Sequence, residues 1–427
     1  MKRCRGVHKI QSSGMHYWLV SIFEQTPVDK VTDTRFQCIA RELLRRGHTV
    51  TFFASTFKHN TKNQRYSETT VISVEEGFTM VYIKSAAYRK NISVRRMSAH
   101  WQFARDAVSA FPEYEKPDRI LVAFPPISLA FSTAIWARSQ KIPVFIDIID
   151  PWPDIFRKPL RSLPAFVQNA LLFPMERKVR TLFKTVDGVT AISRQYIDWA
   201  RKYNSELYPA DCFYPAVDFE GMQRQLKEAA QSGLKDESPF CVIYAGSLAS
   251  SYDIPAILQA AGWLERKYGQ AIRFLIAGAG PQAESIKEYE QAHGNLVYLG
   301  RLSKQELMRQ YYLSDAGLTQ HIKGASQSVT YKLFDLLACG LPIFNSLESE
   351  MKDIILDNQV GFFNEPGNGI QLAENIERLY LDKGLQQRYR DNALRLTRSQ
   401  GDSRVVYGRL VDFFLGSTNS ASRVSAD

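Results

Sequence analysis

The chain has 427 residues, enough for two hydrophobic cores, and its 45% hydrophobic and 23% charged residues exclude a fibrous or mainly disordered protein. Its five cysteines are odd in number, scattered and without a C-x-x-C pair, which argues against a disulfide framework or zinc site and for a reducing compartment. The net charge of +10 is uneven: residues 1–220 carry +11 and the remainder −1, so an anionic partner would belong to the first half.

Met1–Gly14 is a basic, polar extension without the apolar stretch of a signal peptide. His16–Phe23 then reads as a strand. Thr34–Arg46 reads as a helix with Phe36, Ile39, Ala40, Leu43 and Leu44 on one face, ended by Gly47, and Thr49–Ala54 as the next strand. Strand patterns recur at Met80–Ile83, Arg119–Phe124, Pro143–Ile149 and Gly188–Ile192. The longest uncharged run, Ile120–Ala137, has Pro125-Pro126 inside it, so a strand, a turn and a helix fit it better than a membrane span. The polar segment Phe219–Pro239 breaks the alternation and is expected to be a linker. A second series follows at Phe240–Ala245, Ile272–Ala277, Leu296–Leu299, Ala316–Thr319, Leu341–Phe344 and Gly361–Phe363, with a capping box at Ser303–Glu306. Strands alternating with helices predict parallel sheets. The expected layout is two doubly wound α/β domains, 15–218 and 240–416, joined by 219–239 and followed by a disordered tail, 417–427.

Chemistry concentrates between Gln320 and Asn345. The small polar loop Gly324–Ser328 leads into a helix ending near Gly340. A helix N-terminus after such a loop offers free N–H groups and a partial positive charge to a phosphate. Lys332 lies one turn inside, and Asp335 shares its face at i+3, where a carboxylate can accept from a ribose diol. A capped surface helix with an i, i+3 ion pair accounts for the same residues.

The stretch Asp335-Leu-Leu-Ala-Cys-Gly340-Leu-Pro342 resembles the signature helix of the family-four retaining glycosyltransferases, with Gln327 and Asp335 on the family's two glutamates. The nearer likeness is the subgroup with K-L-y-E, common in bacterial surface-polysaccharide synthesis. The resemblance covers nearly the whole chain and implies a GT-B fold, two Rossmann-like domains facing across a cleft. Tyr244-Ala-Gly246-Ser247-Leu248 is similar to the loop where donor phosphates lie against backbone, but Ser247 and Tyr252 stand where the family often has Arg and Lys. Gly278 and Gly280 match the second glycine turn; alone they also suggest a dinucleotide fold, although the third glycine is absent. Arg301 and Leu302 fall on the segment lining the base and phosphates. In the first half, Thr34-Arg35 and Arg46-Gly-His-Thr-Val match the opening helix and second strand. Asp147-Ile-Ile-Asp150-Pro-Trp152-Pro resembles the subgroup's D-l-W-P segment.

The resemblance therefore implies catalytic roles for Asp150, Lys332 and Gln327, with Ser328 at the helix start near the diphosphate. It places donor contacts at Gly246, Ser247, Gly278, Gly280, Arg301, Leu302, Ser328 and Asp335, and acceptor contacts at Arg35, Trp152 and Arg157. Asp150 competes with a role as a helix cap, and Arg35 and Arg301 with solvated surface charges. The reaction implied is retaining transfer of a hexose or N-acetylhexosamine from a UDP- or GDP-sugar co-substrate to a lipid-linked or oligosaccharide acceptor. No other cofactor is expected, nor a catalytic metal or nucleic acid: no D-x-D or H-x-x-x-H occurs. A sugar-nucleotide epimerase, a non-catalytic relative and, more distantly, a nicotinamide oxidoreductase are the alternatives. The apolar run Leu163–Met175, flanked by cations, suggests a cytoplasmic protein touching the inner membrane face, or else a core helix with solvated ends.

Overall fold

The computed structural model describes residues 14–31, 33–90, 93–206, 209–231 and 239–416. The expected basic extension, apart from Gly14, and the expected disordered tail lie outside them. The chain divides into two compact units, 14–213 with 407–416, and 214–406.

In the first unit the strands are β1 (His16–Val20), β2 (Thr49–Ser55), β3 (Phe57–Lys58), β4 (Asn63–Gln64), β5 (Thr70–Glu75), β6 (Phe78–Ile83), β7 (Arg119–Phe124), β8 (Val144–Ile148), β9 (Gly188–Ala191) and β10 (Ala210–Cys212). Eight of them form one sheet in the order β10-β9-β8-β7-β1-β2-β6-β5, while β3 and β4 make a small antiparallel pair. Every pairing in the large sheet is parallel except β5 on β6. The helices α1 (Arg35–Arg45), α2 (Val94–Ala110), α3 (Ile127–Ser139), α4 (Ala165–Phe183) and α5 (Arg194–Arg201) connect them. Strands buried on both faces, such as β7 with all six residues covered, explain the continuous apolar runs of the sequence. The run Ile120–Ala137 is β7 followed by α3, as its prolines require.

The second unit has β11 (Phe240–Ser247), β12 (Ile272–Ala279), β13 (Leu296–Gly300), β14 (Ala316–Thr319), β15 (Ile343–Asn345) and β16 (Gly361–Phe363), all parallel, ordered β13-β12-β11-β14-β15-β16. Its helices are α6 (Phe219–Gln231), α7 (Ile254–Tyr268), α8 (Ala283–Ala292), α9 (Lys304–Leu313), α10 (Tyr331–Ala338), α11 (Glu350–Asp357), α12 (Gly369–Leu381) and α13 (Lys383–Leu396); α14 (Ser403–Gly416) follows. Side chains alternate across the sheet. Ile243 and Leu275 enter a core with α10 and α11, whereas Val242, Tyr244, Phe274 and Ile276 enter the opposite core with α7 and α12. The expected capping box forms at the start of α9, with Ser303 and Glu306 exchanging side-chain and backbone bonds.

Two expected boundaries change. The segment 219–239 is not a plain linker: α6 occupies Phe219–Gln231, because Phe219 and Met222 give it a buried edge despite its polar composition. Nor does the second unit run to 416. From Tyr407 onward α14 belongs to the first unit, where Phe414 packs on Tyr17 and Phe145 and Arg119 donates to the Phe414 carbonyl.

Candidate active site

In open parallel sheets, ligands bind beyond the strand C-termini where the strand order reverses. In the second unit that point lies between β11 and β14. The loops after these strands are tied together by Asp253 N–H to the Gln320 carbonyl (3.2 Å) and Ile322 N–H to the Ser251 carbonyl (3.2 Å). This pairing brings Tyr252 against His321, with ring centroids 5.0 Å apart.

Into this corner α10 delivers Lys332. The helix begins later than the loop pattern suggested: Thr330 is its N-cap, so Lys332 is the second helical residue, and Ser328 lies in the preceding turn, buried, its carbonyl accepting from Ser349 Oγ at 2.6 Å. Lys332 Nζ donates to Tyr244 Oη at 3.2 Å and lies 4.4 Å from the Tyr244 ring centroid and 4.2 Å from that of Tyr252. Tyr244 in turn donates to the Ser247 carbonyl at 2.6 Å. A cation between two tyrosine faces is attracted by their quadrupoles. The space it fills explains Gly246, where a Cβ would stand 2.4 Å from Nζ. Tyr252, which the sequence shows only as a missing cation, is thus one wall of the lysine's seat.

Burial pushes Lys332 down to about 7, a fall that Asp335, one turn further along α10, opposes. His321 is pushed down to about 4 by burial and then by Lys332, so its ring is neutral. Its Nδ1 lies 3.2 Å from the Thr319 carbonyl and carries the proton, which leaves Nε2 as a buried acceptor with no partner. Gln327 Oε1, in the same loop, is likewise buried and unpartnered. A constrained cation beside the unused acceptor of His321, with a second unused acceptor on the same loop, suits a ligand that combines an anion with hydroxyl groups.

The glycine turns are explained by close approach. A Cβ on Gly278 would lie 1.8 Å from the Gly246 carbonyl oxygen, and one on Gly280 2.6 Å from the Leu248 backbone, so these loops stack with no room for side chains. Ser247 is exposed, as is Arg301, which makes no ion pair among the described residues; Leu302 is half-buried.

In the first unit Asp150 follows β8. It is not a helix cap: the short turn Asp154–Arg157 has Pro153 as its N-cap, and the Asp150 carboxyl accepts no hydrogen bond among the described residues. The residue is open to solvent, yet its carboxyl is crowded by protein; burial raises it to about 6 against the pull of Arg96. Trp152 is 3% exposed, with its indole Nε1 unpartnered.

Arg35 is closed off by other residues of the first unit, and Arg157, still part-exposed, is partly taken up by them. Arg35 is 2% exposed and grips the fully buried Asp147 through two bonds of 2.7 and 2.8 Å, with a third to the Phe213 carbonyl at 2.7 Å. It is a buried ion pair, closed to an acceptor. Arg157 is engaged by Glu176 at 2.5 Å and Asn169 at 2.8 Å, both on α4, so it braces that helix. The residues missed by the sequence reading, His321, Tyr244 and Arg96, each meet a partner far away in the chain: Tyr252, Lys332, and Phe23 with Trp152.

Residues 226–395 match the family model described as Glycosyl transferases group 1. Solved structures align over nearly the whole chain. Sucrose-phosphate synthase from Thermosynechococcus elongatus does so at a TM-score of 0.68 and 13% identity, covering 94% of this chain and 98% of its own. WaaG, a glycosyltransferase involved in lipopolysaccharide biosynthesis, gives 0.63 and 14%, covering 95% and 100%. HepE from Anabaena in complex with UDP-glucose gives 0.63 and 12%, covering 94% and 100%.

The fold is GT-B.

No curated protein matches the sequence. The group 1 match falls inside the second GT-B unit and includes Lys332, His321 and both glycine turns. Among the described residues no group of three or more His, Cys, Asp or Glu is placed to hold a metal ion.

Proposed function

We propose that the protein is a retaining glycosyltransferase that binds a nucleotide diphosphate sugar in the second unit and transfers its hexose or N-acetylhexosamine to a hydroxyl. The observation that carries the reading is Lys332, seated on Tyr244 and Tyr252 beside Gly246, with the unused acceptor His321 Nε2 near it and Gln327 Oε1 unused on the loop that leads into its helix. The lysine meets the diphosphate and stabilises the charge that develops as the leaving group departs. The two acceptors take sugar hydroxyls, and Asp335 takes the ribose. Asp150, ionised above pH about 6, orients or deprotonates the acceptor hydroxyl. Since HepE was crystallised with UDP-glucose, that is the first donor to try.

A panel of sugar nucleotides tested for hydrolysis and transfer checks the reading. Asp335→Ala should weaken donor binding about 10- to 100-fold, the loss of a charge-assisted bond, without unfolding the protein. Unchanged affinity by calorimetry rejects that role. Binding without turnover for every donor favours a non-catalytic relative, which Gln327 in place of an acid makes a reading to test.

The acceptor is proposed to be lipid-linked, as in surface-polysaccharide assembly, with the protein resting on the cytoplasmic leaflet. What supports this is α4. Phe166 is 75% exposed, Leu171 56% and Phe173 59%, and Lys158, Arg161, Arg177 and Lys178 are exposed around them. Among the described residues no helix is long and apolar enough to cross a membrane, so the contact proposed is peripheral.

A further inference from the structure

The loops beyond β1, β2, β6 and β8 of the first unit converge on a second cluster that the sequence did not reveal. Arg96, in the first turn of α2, has its guanidinium carbon 5.3 Å from the ring centroid of Phe23, 5.9 Å from Tyr88 and 5.5 Å from Trp152. His100, one turn on, is 1% exposed and meets the rings of Phe23 (5.2 Å), Tyr88 (5.9 Å) and Trp152 (6.1 Å). His59 Nδ1 lies 2.6 Å from Tyr88 Oη and 3.3 Å from Lys62 Nζ. The cluster is therefore an aromatic box holding two cations, with Asp150 as the carboxylate facing Arg96.

Its hydrogen-bonding inventory is lopsided. Arg96 Nε points at His100 Nε2 at 3.4 Å, a long contact in which the imidazole nitrogen accepts. Burial, then Arg96 and His59, push His100 down to about 3, so the ring is neutral and its proton sits on Nδ1. That N–H is buried without a partner, and so is the indole N–H of Trp152. Buried donors are normally matched by acceptors, and leaving one unmatched is costly. Two unmatched N–H donors beside an arginine and a lysine call for a ligand made of acceptors and carrying negative charge.

We infer that this cluster takes the phosphate-bearing end of the acceptor, its oxygens meeting Arg96, Lys62, His100 Nδ1 and Trp152 Nε1. The inference rests on the glycosyltransferase reading for the word acceptor, but not for the binding itself. Either a sugar phosphate or a polyprenyl phosphate would supply the chemistry.

Calorimetry on the full chain tests it with glucose 6-phosphate against glucose, and farnesyl phosphate against farnesol. At least one phosphorylated compound should bind about tenfold or more tightly than its neutral counterpart, and which one does so identifies the source. Arg96→Met should weaken that binding about 10- to 100-fold, and Lys62→Gln, at the rim, several-fold. If the arginine variant does not fold, the lysine variant carries the test. Phosphorylated and neutral compounds binding alike, or phosphate binding unchanged in the folded variants, overturns the inference. Titration with UDP is the separate arm: if UDP and its sugars do not bind but the phosphate site responds, the donor reading falls and the phosphate site stands.

Discussion

Lys332 is the residue on which the donor reading can be pressed hardest. An ammonium pushed down to about 7 is only partly charged in the free protein at neutral pH, and a bound diphosphate would raise it again. Binding should then take up a proton above pH 7. The sign follows from linkage: the complex binds the proton more tightly than the free protein does, so affinity falls as pH rises beyond the free value. Between pH 7.5 and 9 UDP affinity should drop by up to about tenfold per pH unit, with proton uptake seen as a buffer-dependent heat. Lys332→Met should bind more weakly and lose the slope, and a wild-type slope of zero contradicts the role. The sequence displayed Lys332 and Asp335 because i, i+3 spacing on a helix is local information. It could not display the lysine's seat. Tyr252 is 80 positions away and reads as the loss of a family cation, and His321 looks like any loop histidine until its neighbours are known.

At the scale of elements, the alternating pattern disclosed nearly every parallel strand, since strands covered on both faces are apolar throughout. The exceptions have local causes. The parallel edge strand β10 has three residues, none of them buried, and the antiparallel edge strand β5 alternates between half-buried and exposed, so both carry little apolar signal. Helix α6 is polar on most of its surface and has a glycine at its third position. Arg35 was placed correctly at the start of α1 but misread in role, because its partner Asp147 is on β8, 112 residues later, and no spacing connects them. The pair ties α1 to the sheet, and removing one partner strands a charge in the interior. Arg35→Met should therefore lower stability by about 3–5 kcal/mol, and Arg35→Met with Asp147→Leu by less, measured by denaturant unfolding. A single variant as stable as the wild type would return Arg35 to the list of accessible site residues.

For the molecule as a whole, the proposed membrane contact would combine the +11 of residues 1–220 with the exposed apolar side chains of α4. The sequence left that run balanced between a core helix and a surface one; the structure exposes Phe166, Leu171 and Phe173 and buries Leu172. Vesicles containing acidic lipid should sediment the protein at low ionic strength, and salt should release it, each cation near the surface contributing about 1 kcal/mol. Phe166→Ser with Phe173→Ser should abolish the binding without changing UDP affinity; retained binding assigns α4 another purpose. The assignment of residues 407–416 to the first unit bears on a different matter, the order in which a ribosome supplies the parts. Phe414, which packs on Tyr17 and Phe145, and the carbonyl that receives Arg119 are made some 200 residues after the sheet they complete. Until then a nascent chain holds a finished set of strands with an uncovered aromatic face, which invites chaperones or a stray partner. A chain ending at Val406 would be left in that condition permanently. Limited proteolysis should cut its first unit readily and spare its second.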